Sequence, residues 1–471
     1  MPDSVPSAAP SAGSAKPANS SSSGSSKLGA SSATAPVTSV KRTPAGRTLL
    51  HFSNYQGEVK SAVTGLSGAI NTLGPAVKTF GHIPHHEQVM AALRKAQSQA
   101  NRHLIDGAMP HERELSLALS AMTGGQLVSP LNVVGFEQYD ALDLGWVKSF
   151  LNYLTAPRVP FPNHLILPVA TFSWMPEKVT LAIAGDWGTG IEPSASIGGY
   201  IAQREPDYTI HLGDVYYSGL PEEESPKLVE LWPAGGRGSL TLNSNHEMYA
   251  GGQGYFNVAL RDRKFALQNG LSYFVMQNRN WMIIGLDTAY FAINSALYQD
   301  GYLSAPGETN GTVQIDWLRE MLRLAAHSNM NVIILTHHDG FDIDPYANTV
   351  TFKNLFDTLT RELQGVKRWW WYWGHVHAGL AYQSITSNQS TVYPRCIGHG
   401  GIPWEPFPEI ASIHLNDERV KVEWAEVRRV TDSEGNQRAL NGYLMITLDG
   451  TNITETLYDE NNDATGWTPH Y

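Results

Sequence analysis

From about residue 176 onward the chain reads as an α/β protein, and three observations predict it. Short apolar, β-branched runs recur and end in Asp or His: V-T-L-A-I-A-G-D up to Asp186, Y-T-I-H-L-G-D up to Asp214, W-M-I-I-G-L-D up to Asp287 and N-V-I-I-L-T-H-H up to His338. An amphipathic stretch, V-Q-I-D-W-L-R-E-M-L, separates the last two and places Ile315, Leu318 and Leu322 on one helical face. The polar residues stand at the ends of the apolar runs rather than inside them. Near-continuous apolar runs are the mark of buried parallel strands, and their alternation with helices makes a layered α/β domain.

Before that domain the grammar differs. Residues 1–45 are rich in Ser, Ala, Pro and Gly (S-S-S-S-G-S-S is typical), which buries too little apolar surface to offset the entropy of ordering, so a disordered tail is expected. Residues 46–175 read as a mostly helical accessory domain. Val89, Met90 and Leu93 recur at helical spacing, as do Trp146, Phe150, Leu151 and Leu154, until Pro157, Pro160 and Pro162 end the pattern. His82, His85 and His86 precede the first of these helices without an acidic partner at ligand spacing, so they read as solvated imidazoles.

Composition narrows the function. A formal net charge of −11 with no basic patch disfavours nucleic-acid binding but does not exclude an enzyme that acts on a small substrate. One cysteine, Cys396, cannot form an intramolecular disulfide and excludes Cys-rich zinc modules. Neither an N-terminal secretion signal nor an 18-residue apolar span is seen, so no membrane association and a cytoplasmic location are expected.

The strand ends then deserve to be taken together. They carry G-D-W-G (Asp186), G-D-V-Y-Y (Asp214, Tyr217), N-S-N-H-E (Asn245, His246, Glu247), T-H-H (His337, His338) and G-H-V-H (His375, His377). Any one has a plain structural explanation, an Asp as turn or cap and a His as packed imidazole. Five such tips in equivalent places are harder to dismiss, because ligands of open α/β sheets gather at the carboxyl ends of strands. Carboxylate, amide and imidazole donors suit iron, manganese or zinc. The two imidazoles of H-x-H fall on one side of an extended chain, and a shared carboxylate would hold two ions about 3.5–4 Å apart. The aromatic run W-W-W-Y-W that precedes G-H-V-H, Trp369–Trp373, reads as a strand packed on both faces that anchors this turn.

In this order the motifs resemble the calcineurin-like metallophosphoesterase superfamily, and most of all the purple acid phosphatases, over roughly Lys178 to Asp459 and including Gln314, Trp317 and Leu318. The resemblance implies a four-layer α/β/β/α sandwich. It also implies two metal ions, Fe(III) with a divalent Fe, Zn or Mn partner. Asp186, Asp214, Tyr217 and His377 would hold the first metal, and Asn245, His337 and His375 would complete the second, with Asp214 shared. Tyr217 stands in for the missing His of the first motif, and Tyr216 is expected to point away and pack. Two departures are Ser244, where the family usually carries Gly, and Asp339, where a Pro usually follows the second His.

The implied activity is hydrolysis of a phosphate ester. Water made acidic by the metals supplies the hydroxide, and His246, oriented by Glu247, protonates the leaving alcohol. A phosphomonoester is favoured over a diester, and a non-catalytic metal-binding module is the third reading. R-C-I-G-H-G-G-I-P-W offers Arg395 and His399 as substrate contacts, and the alternating segment around the Asp449-Gly450 turn reads as a hairpin closing the second sheet.

Overall fold

The computed structural model describes Asn152, residues 156–162 and residues 172–471, apart from residues 293–297, 306–312, 345–347, 388, 403–409, 411–412 and 432–436. The expected tail, the accessory helices around Val89 and Trp146 (Asn152 apart) and the His82–His86 cluster lie outside the described residues.

The described residues form a mixed α/β architecture with several sheets. Its smaller main sheet is five-stranded. Strands β2 (Lys178–Ala184), β3 (Tyr208–His211) and β4 (Gly238–Thr241) run parallel. The hairpin β17 (Gly442–Asp449) and β18 (Asn452–Asp459) adds antiparallel to β2, turning at Gly450, whose φ is 59°. The sequence expectation of a closing hairpin is met, and glycine takes the left-handed turn at no steric cost.

The larger sheet has nine strands. Its middle is parallel: β6 (Trp281–Gly285), β7 (Asn331–Leu335), β10 (Arg368–Trp373) and β13 (Ser390–Ile397). On one flank β5 (Phe274–Gln277) is antiparallel to β6 and carries β1 (Phe172–Trp174). On the other, β11 (Gly379–Tyr382) and β12 (Ile385–Ser387) run antiparallel to β13, and β14 (Val422–Ala425) joins β11. Two small hairpins, β8–β9 (Phe341–Asp344, Thr349–Phe352) and β15–β16 (Arg429–Thr431, Gln437–Ala439), stand apart.

Six α-helices among the described residues connect or cover these strands. They are α1 (Glu192–Gln203), α2 (Pro221–Glu224), α3 (Asn245–Met248), α4 (Gln253–Asn257), α5 (Val313–His327) and α6 (Asn354–Glu362). Three apolar clusters show how they pack. One unites Leu181, Ile210 and Ile446 of the small sheet with Ile283, Ile333 and Trp370 of the large one. A second joins Ile284, Ile334 and Trp371 to Leu318 of α5 and Leu359 of α6. The third joins Ala182 and Ala184 of β2 to Ile197 and Ile201 of α1.

Strand β10 shows the two-residue period of a strand with both faces buried. Trp369, Trp371 and Trp373 fall in the helix-facing cluster, whereas Trp370 and Tyr372 fall in the cluster shared with the small sheet. None is more than 1% exposed, as expected of a strand packed on both faces. Trp371 donates its indole N–H to Thr336 Oγ1 at 2.8 Å, tying the run to the residue just before His337.

Truncating a buried aromatic leaves a cavity, so Trp371→Ala is expected to lower unfolding free energy by about 3–5 kcal/mol in guanidinium titrations. The same change at Trp174, which is 71% exposed, is expected to stay within about 0.5 kcal/mol.

Candidate metal centre

The parallel strands of both sheets end at one place. Asp186 follows β2, Asp214 follows β3, Asn245 and His246 follow β4, His337 follows β7, and His375 and His377 follow β10. Backbone hydrogen bonds splice these ends together across the sheets. Gly185 N–H donates to Ile397 C=O at 2.8 Å, Asp186 N–H to Gly213 C=O at 3.0 Å, and Gly374 N–H to His337 C=O at 3.0 Å. The approach is close enough to require glycine. A Cβ on Gly374 would lie 2.5 Å from Asp186 Oδ2, and one on Gly213 (φ 103°) would lie 2.8 Å from His337 Nδ1.

Four of the converging residues hold left-handed backbone: Asp186 (φ 56°), Asp214 (φ 76°), His375 (φ 68°) and His377 (φ 53°). Only eleven described non-glycine residues do so, and this costly conformation concentrates at functional sites. The turn aims the side chain back over the strand ends instead of letting the chain run on.

Asp214 stands at the centre. Its Oδ2 accepts from the Tyr216 hydroxyl at 2.9 Å, and that hydroxyl also lies 3.0 Å from His377 Nε2. His377 Nε2 is in turn 3.4 Å from Asp186 Oδ1. On the other side, Asp214 Oδ1 is 3.3 Å from His337 Nε2. His337 Nε2 faces Asn245 Oδ1 at 2.8 Å, and His375 Nδ1 faces the same oxygen at 3.2 Å. Asn245 gives its Nδ2 to the Tyr249 hydroxyl.

These atoms are short of protons. His337 Nδ1 pairs with the Leu212 carbonyl at 2.9 Å, so the neutral ring turns a lone pair, not a hydrogen, toward the Asn245 amide oxygen. Asp186 is fully buried, and its Oδ1 has no hydrogen-bond partner. Its Oδ2 accepts from the His375 N–H at 2.8 Å, so Oδ1 is the oxygen left for a cation or a proton. Metal-ligating atoms of Asp186, Asp214 and His337 lie within 4.8 Å of one another, as do those of His337, His338 and His375. The donor set therefore fits metal ions on chemical grounds.

His338 belongs to that second group by position only. Its Nδ1 pairs with Thr288 Oγ1 at 2.8 Å and its Nε2 with the Tyr298 carbonyl at 2.7 Å, so both nitrogens are engaged and His337 is the one that faces Asp214.

The electrostatics reflect crowding. Burial, then the Asp214 charge, raises the Asp186 carboxyl well above its usual range. Burial also pushes Asp214 upward, but His246, His337, Asp186 and His377 around it together hold it well below its usual range. Burial, then Asp214, pushes Glu247 up to about 8. It lowers His377 to about 4. Ser244 Oγ stands between Asp214 Oδ1 and Glu247 Oε2, within hydrogen-bond reach of both, and caps α3 by accepting from His246 N–H at 3.0 Å. With one hydrogen to give, the hydroxyl donates to Asp214, held low, and a proton on Glu247, pushed up to about 8, completes the second bond.

His246 is buried beside this cluster. Its Nδ1 bonds the Tyr217 carbonyl at 2.7 Å and its Nε2 lies 3.7 Å from Asp214 Oδ2. With Nδ1 engaged by that carbonyl, Nε2 is the ring nitrogen turned toward Asp214.

Three sequence expectations are corrected. The phenol oxygen at the site is that of Tyr216, not Tyr217. Asp214 turns left-handed instead of running extended, and Tyr216 N–H is held by Gly188 C=O at 3.0 Å, so the first tyrosine folds inward. Tyr217 is half-buried, with Lys227 Nζ 5.5 Å from its ring centre. Arg395 is no substrate contact, because it is buried between the sheets. Its Nη1 donates to the Tyr382 and Pro394 carbonyls, and its Nε lies 3.4 Å from Glu455 Oε1 of β18. His399 is likewise packed away: a Cβ on Gly379 or on Gly442 would lie 2.6 Å from its Nε2. Of the residues with sequence signals that were not used, Ser244 is legible as the S-x-x-E start of a capped helix.

No family model matches this chain, and no curated protein does. Among solved structures the chain is similar to one titled "GAP50 the anchor in the inner membrane complex of Plasmodium". The TM-score is 0.40 and the identity 11%, over 62% of this chain and 88% of that one, a likeness too slight to carry a functional inference. Among the described residues no helix is long and apolar enough to cross a membrane.

His399 supplies a test of its buried placement. Burial, then the nearby Arg428, lowers its pKa from an ordinary 6.5 to about 4. As pH falls through 6.5 the unfolded chain takes up a proton that the folded one refuses, so stability drops between pH 6.5 and 4. His399→Gln is expected to flatten part of that slope in chemical-denaturation series.

Proposed function

We propose that this chain is a metal-dependent phosphoric ester hydrolase of the calcineurin-like metallophosphoesterase type, most similar to the purple acid phosphatases. Its sandwich would have four layers: α1, the small sheet, the large sheet, and α5 with α6. The core clusters support this layering, since one is shared by the two sheets and each other cluster carries helices.

The observation that carries the proposal is Asp214 with a separate donor set on each carboxylate oxygen. Tyr216 and His377 lie on the Oδ2 side, with Asp186 beside His377, and His337 lies on the Oδ1 side, with Asn245 between it and His375. The first set would hold Fe(III), which favours a hard anionic phenolate, and the second a divalent Fe, Zn or Mn. Cations there would supply Lewis-acid charge that polarises a phosphoryl group and acidifies a water.

The chain's own residues supply the rest. Asp214 fixes the two donor sets relative to each other. Tyr216, whose phenol burial and the Asp214 charge hold well above its ordinary range, ionises only under a compensating positive charge. His246, tethered through Nδ1, offers Nε2–H to the leaving oxygen, and Asp214 stabilises the imidazolium before transfer. The substrate would be a small phosphate ester, with a monoester favoured by a cationic site. No membrane partner and a cytoplasmic setting are part of the same proposal.

Purified protein is expected to contain iron and to show a visible charge-transfer band. Tyr216→Phe abolishes that band and Tyr217→Phe keeps it; a band that survives Tyr216→Phe contradicts the ligand assignment. Assayed on an aryl phosphate monoester against its diester, the protein should turn over the monoester faster. His246→Ala should lower turnover of an alkyl phosphate by roughly 10²–10⁴-fold, with a smaller loss for a good leaving group. Equal losses would remove His246 from the general-acid role.

A further inference from the structure

Ser244 occupies the place where the resembled family carries Gly, and its hydroxyl does three things at once. It accepts from the His246 backbone N–H at 3.0 Å, so it caps the helix that carries Asn245 and His246. It bonds Asp214 Oδ1, and it bonds Glu247 Oε2. All four residues are buried. A Cβ on Gly213 would lie 2.9 Å from the Ser244 Cβ, so the side chain sits hard against the turn that presents Asp214.

Asp214 has one soft torsion left once its backbone is set, rotation of the carboxylate plane. The Tyr216 hydroxyl pins Oδ2 at 2.9 Å. Ser244 pins Oδ1, the oxygen 3.3 Å from His337 Nε2. Held at both ends, the carboxylate keeps one oxygen for each donor set. Remove the hydroxyl and only the Tyr216 end is held, so the Oδ1 side is free to swing from the line that His337 and Asn245 define.

We infer that the Ser244 hydroxyl is a positioning residue that orients Asp214 Oδ1 toward the Asn245–His337–His375 set and so strengthens cation binding there. The inference rests on the dinuclear reading above. Glycine at this position would leave the same carboxylate oxygen without that donor.

Ser244→Gly separates positioning from capping, since glycine keeps most of the N-cap preference while removing the hydroxyl. Metal-free wild type and variant are titrated with Zn²⁺ by calorimetry, at a temperature where circular dichroism shows both folded. Wild type is expected to take up two equivalents. In Ser244→Gly one equivalent stays as it was and the other loses roughly 10–100-fold in affinity, the usual effect of losing a partner that orients a ligand. Ser244→Ala must show the same selective loss.

Two wild-type-like equivalents in either variant overturn the role of Ser244 and leave the dinuclear reading standing. Equal weakening of both equivalents also overturns it, as it marks a general structural defect. Uptake of fewer than two equivalents by wild type defeats the dinuclear reading and the inference with it.

Discussion

The structure depends on one buried carboxylate that two sheets share. Asp214 ends a strand of the small sheet, yet its oxygens face donors contributed by both sheets. Burying that charge beside a second carboxyl group, Asp186, is unfavourable by itself; the Tyr216 and Ser244 hydroxyls serve Asp214 and the His375 N–H serves Asp186 Oδ2, but Asp186 Oδ1 has no hydrogen-bond partner. The backbone accepts further cost to assemble it, with four donors in left-handed conformation and glycines placed where any side chain would collide. A fold spends stability this way where rigid placement of polar atoms is what it is selected for.

The packing explains how such a site is held. The strand ends cannot drift independently, because backbone bonds such as Gly185 to Ile397 and Gly374 to His337 tie loops of different strands together. Behind the His375–His377 turn, β10 is walled on one face by Trp369, Trp371 and Trp373 and on the other by Trp370 and Tyr372. Dense aromatic interiors resist rearrangement. The polar cross-link of Arg395, Glu455, Tyr372 and Tyr471 fastens the two sheets where their cores meet.

Much of this was legible in the sequence, for physical reasons. Apolar runs ending in Asp or His are local patterns, and the strands that follow from them bring Asp186, Asp214, Asn245, His246, His337, His375 and His377 together. The alternating burial of Trp369–Trp373 also follows from the two-residue period. Tyr216 was missed because Tyr217 was chosen on the resembled G-D-x-x-Y spacing, whereas the left-handed backbone of Asp214 and the Tyr216 N–H bond to Gly188 bring the first tyrosine inward. Arg395 and His399 were misread because their partners are distant in sequence. Glu455 lies sixty residues beyond Arg395 on the other sheet, and no motif near Arg395 announces it. Ser244 was visible as a departure from the resembled pattern, but its contact with Asp214 depends on neighbouring parallel strands ending level.

The central claim is that Asp214 divides its two oxygens between two cations. A crystal structure of the iron- and zinc-loaded protein, with anomalous maps collected at both absorption edges, addresses it directly. The account predicts two peaks flanking the Asp214 carboxylate, one among Asp186, Tyr216 and His377 and the other among Asn245, His337 and His375. A single peak, or peaks that leave Asp214 bound through one oxygen to one ion, would contradict it.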